Sequence, residues 1–325
     1  MFQLLHDPKI DFMSRRRLWI GISLTLIACA LVVVPVKGIK RGIEFEGGAE
    51  VQVKYGAAAS IPTIRETLSK SGFSGAVVTS IGKPEEHEVY IRVPLIAGAK
   101  DSDVAPAVVK ALRGNQSEDQ FSVLSQSYIG PAVGKELIRK AIWAILGSLL
   151  GMLVYIGFRF QFQWGLAAIV ALVHDTIITL GFFSLFGYEM SLSVVAAFLT
   201  LVGYSVNDTV VVFDRIRENL HAKGGVTSNL PEVINHSINQ TLSRTILTSF
   251  LTWVVCLSIF LLGGPALRDF SFVLVCGIVV GTYSSIYIAS PILVIWQTWL
   301  DARAKRRAPA DAKKATAKKV KAAKV

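Results

Sequence analysis

Six blocks of the chain stay apolar over lengths close to the roughly 20 helical residues that cross a hydrocarbon core. They run 18–36, 141–158, 165–186, 192–213, 245–262 and 270–296. Between the first two lies a polar stretch, 37–140, with a different rhythm. Val51, Val53 and Tyr55 alternate with polar neighbours, the pattern of a half-buried strand. Ile61, Ile64 and Leu68 recur at helical spacing ahead of Gly72. Residues 76–81 and 88–93 read as strands, 102–113 as a helix ended by Gly114, and 121–129 as a last strand before Gly130 and Pro131. The order β-α-β-β-α-β predicts a ferredoxin-like unit. The fold class expected is an α-helical polytopic membrane protein of six transmembrane helices with a small ferredoxin-like α+β domain outside the membrane.

The segments divide into an N-terminus at 1–17, a first helix at 18–36, the extracytoplasmic domain at 37–140, helices two to six within 141–300 with a connecting loop at 214–244, and a tail at 301–325. Arg15, Arg16 and Arg17 before the first block give it the look of a signal peptide. Its length and the lack of an Ala-x-Ala site make it a retained anchor.

Composition agrees. The chain is 52% hydrophobic and 18% charged, against about 25% charged in soluble domains. The net charge of +11 says little about most of the chain, because the ten basic and two acidic residues of 301–325 supply +8 of it. That Lys/Ala-rich tail lacks a hydrophobic face, and we expect it to be unstructured and to meet anionic membrane lipid, at about 1 kcal/mol per basic residue. Cys29, Cys256 and Cys276 lie inside apolar blocks without metal-ligand spacing, so neither a zinc site nor a disulfide framework is expected.

Short-loop Lys and Arg set the orientation. The N-terminus, the 159–164 turn with Arg159, the 214–244 segment with Arg215, Arg217, Lys223 and Arg244, and the tail all fall on one side of a six-span chain. The opposite loops carry only Arg268. Both termini are therefore expected in the cytoplasm of a bacterial inner membrane.

Ionisable groups cost about 2.5–3.5 kcal/mol each at the bilayer centre on insertion scales, so those present need a reason. The third block holds His174 and Asp175; the fourth holds Ser205, Asn207 and Asp208. Arg244 stands at the mouth of the fifth, followed by Thr245, Thr248, Ser249 and Thr252, which with Thr241 predict one polar stripe. Asp208 and Arg244 are within plausible reach of each other, and a carboxylate that is either paired or protonated is a two-state element. The bland alternative is interhelical hydrogen bonding. Asp214, Arg215 and Arg217 read as an interfacial charged cluster, and Gly277, Gly281 and Ser284 as a close-packing face. Without H-E-x-x-H or a P-loop, and with only a bare Ser and His or two aspartates for intramembrane proteolysis, no enzyme and no cofactor is expected.

Four passages then resemble a known family. RGIEFEGG at 41–48 resembles the Gly-Gly signature of the SecD/SecF export proteins, with Gly42, Gly47 and Gly48 serving either a tight connection or a hinge. VGYSVNDTVVVFDRIREN at 202–219 is the most specific, and TLSRTILTS at 241–249 and GTYSSIYIASP at 281–291 resemble the SecF side of that family. The resemblance spans about 15–300 and implies an RND-class accessory of protein export, driven by the proton-motive force. It implies SecD, YajC, a SecY-type channel with SecE and SecG, and indirectly SecA as partners, with unfolded preproteins as substrates. It places proton passage at Asp208 and Arg244; Asp175, Asn207, Ser205 and His174 are further candidates from their place inside the apolar blocks. A translocon scaffold without proton transport, or half of a small-molecule exporter, are the alternatives; the 100-residue outer segment is too small for a drug-binding porter.

The orientation is open to test. Single cysteines at Ser60 and Ser228 should label from opposite sides of the membrane; equal labelling of both from outside would sink the six-span arrangement.

Overall fold

The computed structural model describes residues 8–57, 60–81, 84–94, 104–114, 120–160, 162–222, 229–296 and 298–299. Six long apolar helices are present: α1 (Arg16–Lys37), α5 (Pro131–Arg159), α6 (Phe162–Phe186), α7 (Leu192–Ala222), α8 (Leu230–Leu262) and α9 (Gly264–Ser284), the last continuing through a π-helical turn, Ser285–Ala289, to Trp296. Each has the length and composition to span a membrane. Helix α9 packs against α6, α7 and α8, while α1 lies along α6.

Close approach explains two contacts. At Gly277 a side chain would strike Leu201 of α7, and at Gly181 it would strike Ala30 of α1. Small residues let membrane helices come near enough for dispersion and hydrogen bonding to act. By contrast α5 shows most of its side chains, with Trp143 68% and Phe158 90% exposed, the surface of a helix made for lipid or a partner.

The segment expected as a loop, 214–244, is largely helix. Helix α7 continues to Ala222 and α8 begins at Leu230, and Lys223 to Ser228 lie outside the described residues. The extensions stay regular because they solvate one another with side chains: Asn219 donates to Ser237 and Gln240, and Arg215 to Gln240 at 2.7 Å. Arg159 pairs with Asp214 at 2.9 Å and accepts through its carbonyl from Arg217. This is the interfacial charged cluster read from the sequence. The N-terminal segment joins the same end: Asn235 Oδ1 accepts from the amides of Phe12 and Met13, and its Nδ2 donates to Asp11 at 2.6 Å. That bond, the largest influence on it, holds the Asp11 carboxyl below its ordinary range. The tail after Leu300 lies outside the described residues.

At the other end sits the α+β unit: β2 (Gly48–Tyr55), α3 (Ile61–Lys70), β3 (Val77–Ile81), β4 (Glu88–Pro94), α4 (Val104–Arg113) and β5 (Phe121–Ile129). The sheet order β3-β4-β2-β5, antiparallel throughout, is the ferredoxin-like arrangement. Strand alternation sends Val51, Val53, Val89, Ile91 and Val93 toward Leu68 and Val108 of the helices. Glu50, Tyr90 and Arg92 take the other face.

That polar face docks on the loop between α6 and α7. A short strand β1 (Lys40–Arg41) pairs in parallel with β6 (Glu189–Met190), and the one-turn helix α2 (Ile43–Glu46) follows. Arg92 meets Glu189 at 2.6 Å, and the Glu189 amide donates to Asp269 at 3.1 Å. Burial raises the Glu189 carboxyl from its usual range, with Arg92 opposing that shift. Arg92→Leu leaves a half-buried carboxylate without its cation, a loss of about 1–3 kcal/mol. Hydrogen exchange should then quicken at the Gly42 and Glu189 amides; unchanged protection there would show that the ion pair does not hold the domain.

Candidate functional site

The buried arc of α6 is wide enough that two neighbouring residues, His174 and Asp175, both turn inward, 3% and 1% exposed. Asp175 is met from three helices. Its Oδ2 accepts from Ser205 of α7 at 2.5 Å and from Ser284 of α9 at 2.8 Å, and its Oδ1 lies 2.8 Å from His174 Nδ1. The imidazole continues the chain: Nε2 lies 2.8 Å from the Tyr283 hydroxyl, which lies 2.6 Å from Ser23 Oγ of α1. One row of polar groups thus joins α1, α9, α6 and α7.

Local backbone makes this possible. Gly281 lets α9 approach until a Cβ there would sit 3.0 Å from the Cβ of Ser205. The π-helical turn begins one residue after Ser284, with Ser290 Oγ donating to the Ser285 carbonyl at 2.8 Å. A π segment widens the helix and turns its side chains relative to an α-helix, and such segments gather at functional sites.

Asp208, three residues beyond Ser205 on α7, faces the other way, toward α8. It is 2% exposed and accepts from Ser249 at 2.9 Å. The expected contact with Arg244 is not made: among the described residues no ion pair joins them. Helix geometry gives the reason. Thr241, Thr245 and Ser249 are four residues apart and share the buried face. Arg244 precedes Thr245 by one residue, a turn of about 100°, and is exposed. The predicted stripe splits for the same reason, since Thr248 points outward and donates to its own helix at Arg244 O. Asn207 likewise is exposed on α7 and stands apart from Asp175, Ser205 and His174.

The three signature glycines belong to the connection between α1 and the α+β unit. The Gly42 amide donates to Met190 O at 2.6 Å, and a side chain there would meet that same carbonyl at 2.9 Å. Gly48, at φ 150°, is pressed against the Val93 carbonyl. Such contacts fit a tight joint.

Residues 108–299 match the family described as protein export membrane protein SecD/SecF, C-terminal, and residues 32–59 match the SecD/SecF GG motif. The chain belongs to the SecD/SecF family. Protein translocase subunit SecF of Desulfurispirillum indicum is 43% identical over 89% of this chain and 92% of its own length. That of Escherichia coli O157:H7 is 37% identical over 89% of each. The crystal structure of SecDF, a translocon-associated membrane protein from Thermus thermophilus, superposes with TM-score 0.74 at 38% identity, over 90% of this chain and 39% of that one. Membership of the SecD/SecF family makes this a protein-export membrane protein, and in the Thermus relative the SecF part is continuous with SecD in one chain.

Among the SecF-like motifs, the sequence reading placed Ser284 in a packing face, whereas it donates to a carboxylate. It passed over Tyr283 and Ser23. The available signal was weak: a serine in the first apolar block and a Tyr-Ser-Ser run in the last.

The two carboxylates should differ under substitution. Asp175→Leu strands donors from three side chains and Asp208→Leu strands Ser249, each stranded buried group costing about 1–3 kcal/mol where it finds no other partner. Thermal unfolding followed by tryptophan fluorescence should show the larger fall in Tm for Asp175→Leu; the reverse order would contradict the network described.

Proposed function

We propose that the chain works with SecD to draw preproteins across the inner membrane in the late stage of export, using the proton-motive force, and that Asp208 is the group that takes up the proton. The observation carrying this reading is a carboxylate buried in the membrane-spanning bundle that, among the described residues, accepts its hydrogen bond from a neutral hydroxyl, Ser249. An ionised carboxylate there is costly without a cation or water. Binding a proton removes that cost, and so does approach of Arg244. The unpaired arrangement is the proton-accepting state of a cycle whose other state pairs the two. A charge crossing the membrane delivers roughly 2.3 kcal/mol per 100 mV, enough over a few charges to drive a conformational change.

Arg244 and Asn207 are polar residues left on the outer surface of membrane helices, and Arg244 shares its direction on α8 with the exposed apolar side chains Leu251 and Val255. We assign that face to SecD, because a charged group held against lipid is unfavourable and a partner helix would cover it. The proton pathway in this reading comprises Asp208 and Arg244, with Ser205, Asn207, His174 and Asp175 as further members at separate places in the bundle. YajC, the SecY channel with SecE and SecG, and SecA acting earlier complete the machine in this reading. Both termini lie in the cytoplasm, the α+β unit lies outside, and the chain performs no covalent catalysis.

Export into vesicles at saturating ATP, with and without a proton gradient, tests this. Asp208→Asn keeps the shape and loses the titration, so the variant complex should assemble normally and lose the gradient-dependent stimulation. Arg244→Met should lose it as well. Full stimulation in Asp208→Asn would make this aspartate structural and favour a scaffold.

A further inference from the structure

Resting on the proton-driven reading above, but placed at a different carboxylate, a second site emerges from the row Ser23–Tyr283–His174–Asp175. We propose that the His174–Asp175 pair binds one proton within the membrane, and that Tyr283 and Ser23 pass its state to α1, the helix that carries the α+β unit.

The hydrogen bonds define the chemistry. Asp175 accepts two hydroxyls on Oδ2 and faces His174 Nδ1 with Oδ1. With Nδ1 as the hydrogen-bearing nitrogen the carboxylate takes all of these contacts as an acceptor, the Ser284 hydroxyl being shared with the Gly281 carbonyl at 3.0 Å. Among the described residues no Lys or Arg pairs with it. From α1 the facing polar group is Ser23, from α7 Ser205, and from α9 Tyr283 and Ser284; α5 contributes none. Among the described residues no Lys, Arg or Glu is buried, and the other buried carboxylate, Asp208, points toward α8. With a neutral imidazole the pair therefore holds a net negative charge in the membrane. One proton added at Nε2 makes the imidazolium and brings the pair to neutrality; its release restores the first state. No other bond forms or breaks.

Proton uptake at Nε2 reverses the rest of the row. When Nε2 is bare it accepts from the Tyr283 hydroxyl, which in turn accepts from Ser23. When Nε2 carries hydrogen it donates to the Tyr283 oxygen, which then donates to Ser23, and the serine hydroxyl must turn to a carbonyl of its own helix. The two states thus bind α1 to α9 through opposite donors. The contact is well placed to be felt along α1: Trp19 stacks on Tyr287 at 4.4 Å between centroids and lies 6.1 Å from Tyr283, one turn from Ser23. The other end of α1 leads into β1 and the glycine joint docked on Met190. The π-helical turn that follows Ser284 lets this part of α9 shift register locally.

The complex with SecD, in lipid nanodiscs, supplies the test: hydrogen-exchange protection of residues 38–48, corrected for intrinsic rates, between about pH 8 and about pH 5. The wild type should change by at least about fivefold, the lower range of allosteric coupling. Tyr283→Phe keeps the ring and its stacking and loses only the hydroxyl, and it should abolish the change. His174→Gln should abolish it too. A pH-independent wild type, or a full response in Tyr283→Phe, overturns the proposal. Because the Asp208 site is judged by export into vesicles and this one by exchange, either reading fails without taking the other with it.

Discussion

A carboxylate inside an apolar helix bundle has to be surrounded by donors, and the packing of α6, α7 and α9 follows from that requirement at Asp175. Three helices must each present a hydroxyl or imidazole at one point, so each must approach closely. Gly281 against Ser205, and Gly277 against Leu201, supply the approach. The π-helical turn lies directly beyond the donor Ser284 on α9. The apolar layers above and below, around Phe183 and Leu201 on one side and Trp164 and Phe213 on the other, then pack on a framework whose spacing is already set.

Asp208 shows what the same helix does where donors are few. A single bend of the helical wheel separates Ser205, which serves Asp175, from Asp208, which faces α8 and meets one hydroxyl. One carboxylate is thereby held in a network, and the other meets a single hydroxyl among the described residues. Arg244 is exposed on α8, one position away from the face that reaches Asp208. A modest reorientation of α8, or a neighbouring chain pressing on its outer surface, is the kind of change that would bring the pair together.

Much of this was legible in the sequence, for physical reasons. Period-two alternation in Val51, Val53 and Tyr55 fixed which face of β2 is buried, and the two helical repeats between strands fixed the ferredoxin-like order. Apolar runs located six helices, but not their ends, because amphipathic turns such as 214–222 and 230–244 are helical without being apolar. The intramembrane Asp, His and Ser residues announced themselves by their cost. Their grouping did not. The shared end of α7 and α8 suggested Asp208 with Arg244, whereas Arg244 lies one step around α8 from the face that reaches Asp208; Tyr283 and Ser23, 260 residues apart, meet only because α1 lies along α6 beside α9. The docking of Arg92 on Glu189 joins a strand to a distant loop and has no local signature.

In the proposed cycle Asp208 changes protonation state within the assembled membrane complex. Infrared difference spectroscopy of the complex with SecD, on stepping from high to low pH, reads this most directly. A protonated-carboxyl band should be present in the wild type and absent from Asp208→Asn, with the intensity lost from the carboxylate region in step. Identical difference spectra for the two proteins would contradict it.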